Sequence, residues 1–299
     1  MTSFTDTYTL SNGVQIPCIG FGTYNAKGGD NLEINRTAIQ AGYRYFDTAS
    51  LYETERVLGQ AVRESGIPRE EIFLTTKVWI EHYGYENARQ SVLESMKKLQ
   101  TEYLDLVLLH QPFGDTYGAW RALEDLYEEG KIRSIGISIF YVDRMVEFVN
   151  FNRIKPMINQ IEVHIFNQQK QLKEYADKYN VQLEAWAPFG EGRGNTFDNE
   201  VIKTIGNRYG KTTAQVMLRW NIQRGVVVIP KSTHYERMVE NFNVFDFELT
   251  DEEMNTIAGL DTATSSFFSH QDPAMVEWFV KMVEERKKNN RSENEKKNW

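Results

Sequence analysis

Four residues of this chain are of types that together do acid–base chemistry, and each falls where an apolar run gives out. Asp47 closes the run Arg44–Asp47, Lys77 lies near the end of Ile72–Val78, His110 closes Leu104–His110, and Tyr52 follows Asp47 by five positions. A phenol titrates near pH ~10 and is a poor acid at neutrality. An ammonium beside it favours the phenolate and lowers that value. A carboxylate beside the ammonium keeps the lysine charged and in place, and a neutral imidazole orients a substrate oxygen. The set suits protonation of a carbonyl oxygen as the carbonyl is reduced. Singly, each residue has a structural explanation: Lys77 as a rim charge, Asp47 as a cap, His110 as a hydrogen-bonded core residue, Tyr52 as packing. Their equivalent places on successive units weigh against four separate coincidences.

The elements that must position them are legible as short apolar runs: Pro17–Phe21, Arg44–Asp47, Ile72–Val78, Leu104–His110, Ser134–Ile139, Met157–Val163, Val181–Trp186 and Val226–Ile229. Several are apolar almost without interruption, as strands buried on both faces of a parallel sheet are. Helical patterns lie between them at Leu32–Ala41, Thr54–Ser65, Asn87–Leu99, Tyr117–Glu129, Val142–Phe148, Gln169–Tyr179 and Thr213–Arg224. About eight strand–helix units without a composition break predict an α/β fold, a closed (β/α)8 TIM barrel. In such a barrel catalytic side chains stand at the carboxyl ends of strands. The other architecture considered, a doubly wound open sheet, more often carries Gly-x-Gly-x-x-Gly after its first strand, and that string is missing. Thr7–Leu10 and Val14–Ile16 flank Ser11-Asn12-Gly13, a hairpin signal in which Asn-Gly is the favoured two-residue turn, placed to plug the barrel's bottom. The expected domain is 1–285. Beyond an amphipathic stretch at Ala274–Glu285, residues 286–299 read as a charged, frayed tail.

Composition narrows the partners. The chain has 299 residues, 41% hydrophobic and 25% charged, enough to bury a sizeable core. A net charge of −8 disfavours nucleic acid and anionic membrane, and no apolar run reaches the ~20 residues of a bilayer span. The N-terminus lacks the basic-then-apolar pattern of a secretory signal, and the single cysteine, Cys18, rules out an internal disulfide, so a cytoplasmic location is expected. A monomer is favoured. No His-x-x-x-His or cysteine pair occurs, and no metal site is expected.

A second constellation, Ile229-Pro-Lys-Ser-Thr-His-Tyr-Glu-Arg, leaves the last strand and opens a helix near Thr233. Backbone N–H groups at a helix start favour an anion, and Lys231, Ser232 and Arg237 add charge and donors. A capped surface helix with a basic rim would read similarly. Tyr24, Trp79, Phe113, Trp186 and Phe189 fall just past strand ends, where they could line an apolar pocket and stack on a flat ring. With His110, the residues Tyr24, Trp79 and Phe113 form the expected substrate pocket. Glu191–Asn199 reads as a mobile loop able to cover a ligand.

With these residues in view, the chain resembles the aldo-keto reductase superfamily, over roughly residues 5–270. Gly-Tyr-Arg-Tyr-Phe-Asp-Thr-Ala with Glu55, Leu58 and Gly59 is similar to the family's first signature, and Ile-Pro-Lys-Ser with Arg237 and Glu240-Asn241 to its third. The spacing between motifs is most similar to the bacterial diketogluconate-reductase type. The resemblance implies that an aldehyde or ketone is reduced with NADPH and no metal. In it Tyr52 is the proton donor, Lys77 and Asp47 tune it, and His110 orients the carbonyl. Gln160 and Ser138 hold the nicotinamide carboxamide and Trp186 stacks on the ring. Lys231, Ser232 and Arg237 take the 2′-phosphate, Glu240 and Asn241 the adenine. Gly22, Thr23, Asp47, Phe189 and Gly190 complete the implied cofactor set. One position departs. The middle signature usually reads Gly-Val-Ser-Asn-Phe and here reads Gly136-Ile-Ser-Ile-Phe140, so Ile139 replaces an asparagine that hydrogen-bonds the carboxamide. Weaker or slightly rotated nicotinamide binding is expected, with activity retained. Two other readings are a non-catalytic NADPH-binding module of the same fold and, ranked lower, an aldolase with Lys77 as its Schiff-base nucleophile.

Overall fold

The structure, a computed structural model, describes residues 6–24 and 31–297, with side chains through residue 288. It opens on an antiparallel hairpin of β1 (Thr7–Thr9) and β2 (Gln15–Pro17), with Tyr8 opposite Ile16. The connection differs from the expected two-residue turn. Leu10 and Val14 close a three-residue loop, Leu10 N–H donating to Val14 O at 2.9 Å and Gly13 N–H to Leu10 O at 2.8 Å. Gly13 takes φ +87, a conformation that penalises a Cβ, which is why glycine ends the loop.

Eight parallel strands follow: β3 (Phe21–Gly22), β4 (Tyr45–Asp47), β5 (Phe73–Val78), β6 (Leu106–Leu109), β7 (Ile135–Ser138), β8 (Ile158–Glu162), β9 (Gln182–Trp186) and β10 (Val227–Val228). They pair in chain order from β3 to β10. The sheet then closes on itself. Ile19 bridges Val228 in parallel, with Gly20 N–H to Val228 O at 2.8 Å and Val228 N–H to Cys18 O at 3.0 Å. This is the expected (β/α)8 barrel, its staves buried on both faces. The run expected from Pro17 to Phe21 divides: Pro17 belongs to the hairpin, Cys18–Gly20 to the closure, and Phe21 to β3. Asn12 Nδ2 donates to Arg133 O at 2.9 Å, just before β7 begins, and Tyr8 Oη to Ile222 O at 2.5 Å, ahead of β10. Both contacts lie at the amino-terminal ends of strands, so the hairpin sits at the barrel's bottom.

Helices α1 (Asn31–Gln40), α2 (Glu55–Glu64), α3 (Tyr85–Leu99), α4 (Thr116–Glu128), α5 (Val142–Phe151) and α6 (Lys170–Tyr179) alternate with the strands. Then come α7 (Glu200–Tyr209), α8 (Thr213–Gln223), α9 (Tyr235–Phe242) and α10 (Asp251–Ala258). Two of these, α7 and α10, are additional to the sequence patterns. Asn199 caps α7 by accepting from Val201 and Ile202 N–H, and α10 starts on a reciprocal Thr250–Glu253 box.

The chain separates into two compact units, Met1–Thr264 and Ser265–Trp299. In the second, α11 (Pro273–Lys297) is a 25-residue helix, and His270 stacks on Phe279 with centroids 5.6 Å apart. The sequence reading set its boundary at residue 285 and expected no fixed structure beyond; residues 298 and 299 lie outside the described residues. Among the described residues no helix is long and apolar enough to cross a membrane.

Candidate active site

Asp47 is the last residue of β4 and Lys77 the last but one of the neighbouring β5. Both are buried, Lys77 at 0% and Asp47 at 2% exposure, and Lys77 Nζ donates to Asp47 Oδ1 at 2.5 Å. A second bond runs from Nζ to Thr48 O at 3.0 Å, and Asp47 Oδ2 accepts from Gln160 Nε2 at 2.8 Å. A buried ion pair is tolerable only with its remaining hydrogen-bonding capacity satisfied in this way. Burial alone would lower the Lys77 ammonium's pKa; Asp47, and then Tyr52, outweigh it and hold the group above its ordinary value.

Tyr52 ends a 3₁₀ turn, Ser50–Tyr52, tied to β5 by Ser50 Oγ donating to Lys77 O at 2.9 Å. This places Lys77 Nζ 5.0 Å from the Tyr52 ring centroid and Tyr52 Oη 3.4 Å from His110 Nε2. His110 follows β6 directly, its N–H donating to Val78 O at 3.0 Å. The four residues picked out at strand ends therefore converge. One expectation about them is corrected. The phenol of Tyr52 is pushed up to about 12, not down, because burial outweighs Lys77 and Asp47 adds to burial. The ammonium acts in the expected direction and loses to desolvation. Tyr52 thus keeps its proton throughout the neutral range.

Around the hydroxyl the rings form a continuous wall. Tyr24 lies 4.8 Å from Tyr52, and Trp79 5.0 Å from His110, centroid to centroid. Phe113 is half-buried beyond the end of β6.

The expected cofactor residues divide into a buried and an exposed set. Ser138 ends β7 opposite Gln160 in register, and both are buried. Gln160 is engaged here by Asp47. Ile139 turns the chain out of β7 at φ +66 with its N–H fixed on Gln160 O at 2.8 Å. A β-branched residue at positive φ is an outlier. Trp186 ends β9, half-buried, and Ala187 bends the chain at φ +47 toward Phe189 and Gly190. The stretch expected as a loop, Glu191–Asn199, falls mostly within Gly190–Asp198, a 3₁₀ stretch interrupted by non-helical residues from Glu191 to Asn195.

Lys231, Thr233, His234 and Arg237 are exposed at the start of α9, and Ser232 Oγ accepts from His234 N–H at 3.0 Å. Gly22, Thr23 and Lys231 line one pocket, where a Cβ on Gly22 would stand 3.2 Å from Ile229 O. Burial lowers the Lys231 ammonium, against the opposing influence of Glu191. Asn241 is buried, and Glu240 accepts from Thr212 Oγ1 at 2.6 Å. Two exposed cations, Lys231 and Arg237, with the Ser232 hydroxyl between them in sequence, are groups that could take the phosphate end of a dinucleotide. Where the family resemblance expects a carboxamide-binding asparagine, Ile139 offers only hydrocarbon.

A family model described as "Aldo/keto reductase family" matches residues 18–262. The chain belongs to that family. It is 45% identical over 262 residues to glyoxal reductase of Bacillus subtilis, covering 87% of this chain and 94% of the relative. Among solved structures, an aldo-keto reductase from a Medee basin deep-sea metagenome library superposes with TM-score 0.87 at 40% identity, over 89% of this chain and 99% of that one. An aldo-keto reductase of Bombyx mori in complex with NADP superposes at 0.84 with 33% identity, over 90% and 96%. Family membership leaves two features of this aldo/keto reductase that the sequence reading passed over: the Thr48 carbonyl that shares Lys77, and Glu184, a glutamate in the middle of β9 that is 0% exposed. The signal for Glu184 was present, a carboxylate inside an otherwise apolar strand.

Proposed function

We propose that the protein is an NADPH-dependent carbonyl reductase in which Tyr52 protonates the carbonyl oxygen as hydride reaches the carbon. The observation that carries this reading is the buried Asp47–Lys77 pair set under the Tyr52 ring, with His110 Nε2 3.4 Å from the Tyr52 hydroxyl. Bound NADPH supplies the hydride and, once oxidised, a positive charge. The chain's own residues do the rest. Tyr52 holds a proton that burial prevents it from losing to bulk solvent. Lys77 offsets the charge that develops on the phenolate, and Asp47 keeps Lys77 charged. His110 orients the oxygen, while Tyr24, Trp79 and Phe113 exclude water from it. Lys231, Ser232 and Arg237 would hold the 2′-phosphate, Glu240 and Asn241 the adenine edge. Ser138 and Gln160 would hold the carboxamide, Trp186 the ring face, and Gly22, Thr23, Phe189 and Gly190 the remainder. The relative named glyoxal reductase supports small dicarbonyls as the first substrates to assay.

Tyr52→Phe tests the reading. Turnover of NADPH with glyoxal and an aldehyde panel should fall by about 10²–10⁴-fold, the usual contribution of a general acid. The NADPH dissociation constant should move less than about twofold. Undiminished turnover refutes the assignment. The binding-module reading draws on Ile139, and tight NADPH binding without turnover across the panel would favour it. The aldolase reading requires a deprotonated Lys77, and Asp47 holds that lysine protonated.

A further inference from the structure

Among the described residues, two carboxyls and one ammonium meet inside the barrel near Tyr45. Asp47, Lys77 and Glu184 are all withdrawn from solvent, at 2%, 0% and 0% exposure. Asp47 takes the ammonium directly. Glu184 takes a phenol: its Oε1 accepts from Tyr45 Oη at 2.5 Å, and Tyr45 Oη in turn accepts from Thr75 Oγ1 at 3.3 Å. Oε2 of Glu184 is buried with no hydrogen-bond partner. A carboxylate in a dry interior needs donors on both oxygens, and one left bare is strongly penalised. A carboxylic acid carries no net charge to desolvate, so an unpartnered second oxygen costs it far less.

We propose that Glu184 is held as a neutral acid in the barrel core and acts as a positioning residue. Its proton leaves Lys77 paired with one carboxylate, so that the ammonium remains available to the Tyr52 phenol. The inference rests on Tyr52 being the proton donor. The groups facing Glu184 are Tyr45 and Asp47 from β4, Thr75 and Lys77 from β5, and uncharged Gln160 and Val227, its register partners on β8 and β10. Burial first, then Asp47, push its carboxyl up to about 8, against the Tyr45 hydrogen bond, Lys77 and the Gln160 amide. Above that pH a second negative charge faces the ammonium. Lys77 then stabilises the Tyr52 phenolate less, and the phenol becomes a weaker acid. The rate of reduction drops to a lower plateau, not to zero, because Tyr52 still carries its proton. A one-unit rise in the phenol's pKa bounds that step at about tenfold.

The test compares the full-length protein with Glu184→Gln, which fixes the neutral form with nearly the same shape. Between the ordinary carboxyl range and pH 8 the unfolded chain releases a proton that the folded chain keeps, so wild-type stability falls as pH rises. The variant lacks that loss. Its melting temperature should gain on wild type between pH 5 and 8, and its pH–rate profile with NADPH and glyoxal should lose the partial step near pH 8. A melting difference constant with pH overturns the proposal; so does a widening difference with superimposable rate profiles. If Glu184→Gln does not fold, infrared spectra of the wild type decide. A protonated-carboxyl band present at pH 6 and lost by pH 10 supports the proposal, and its absence at pH 6 overturns it. Melting and infrared readouts need no turnover, so a wild type inactive on all carbonyls would count against the reductase reading alone.

Discussion

Ile139 holds a backbone conformation suited to the asparagine found at that place in the family's middle signature, and substituting it separates two contributions. The left-handed φ of +66 costs an L-residue about 1–2 kcal/mol, and asparagine much less, because its short polar side chain bonds locally. The residue cannot escape by relaxing, since its N–H is fixed on Gln160 O. Against that stands the burial of its side chain, 7% exposed, which stabilises the fold by about 1.5–3 kcal/mol. Ile139→Asn alone would therefore mix a gain with a comparable loss. The informative comparison is Ile139→Asn with Ile139→Ala, since both surrender the burial and only asparagine relieves the backbone. Asparagine should melt higher by about 1.5–3 °C, the size expected for 1–2 kcal/mol in a chain of this length. A regained hydrogen bond of about 0.5–1.5 kcal/mol to the carboxamide should also tighten NADPH roughly two- to tenfold, read by quenching of protein fluorescence. Equal melting temperatures for the two variants would refute the strain argument. An unchanged dissociation constant would refute the position's role at the nicotinamide.

Other outcomes follow from the same geometry. Asp47→Asn should destabilise the fold by about 3–5 kcal/mol by leaving Lys77 buried without its charge partner, and the double variant Asp47→Asn/Lys77→Met should lose less than either single change; denaturant titration decides, and simple additivity would contradict the pairing. Arg237→Ala should weaken NADPH binding about tenfold or more while leaving NADH within twofold, because only the former carries a 2′-phosphate; equal losses for both would remove Arg237 from that role. Tyr43, Tyr45 and Tyr83, all buried, are raised above the free phenol, with burial the leading cause in each. The stability this represents is fully present below about pH 10 and is lost as pH climbs past it, since unfolding lets these phenols ionise. Phenolate absorbance from them should therefore rise together with loss of circular dichroism, and an earlier separate rise would contradict their burial.

The catalytic candidates were legible because barrel strands announce their ends. Asp47, Lys77 and His110 each close or nearly close an apolar run, and parallel order makes the runs neighbours. What pattern could not supply was the balance of opposing effects. The sequence places an ammonium near a phenol and suggests an acidified hydroxyl; only the depth of burial reverses the sign at Tyr52. Glu184 escaped notice because β9 was read for its apolar residues, and a strand pattern does not say which polar exception points inward. The hairpin loop was misjudged by one residue because Asn12-Gly13 fits both a two- and a three-residue connection, and the choice is made by the Leu10–Val14 pairing. Helices α7 and α10 show the reverse case: Asn199 and the Thr250–Glu253 box were present as start signals and went unused.

The closure of the sheet has a consequence for how the protein fails. Ile19 meets Val228 across nearly the whole length of the barrel sequence, through few hydrogen bonds between short strands. Loop-closure entropy makes such a seam the last stitch to form and the first to slip. The stitch next to it, Gly22 N–H on Pro230 O, lies beside Lys231, at the mouth that would receive the dinucleotide's phosphates. Warming should thus unfasten the doorway proposed for the cofactor while the staves carrying Asp47 and Lys77 still stand, and saturating NADPH, if it laces that doorway shut as proposed, should protect the protein most in the degrees just below its melting point.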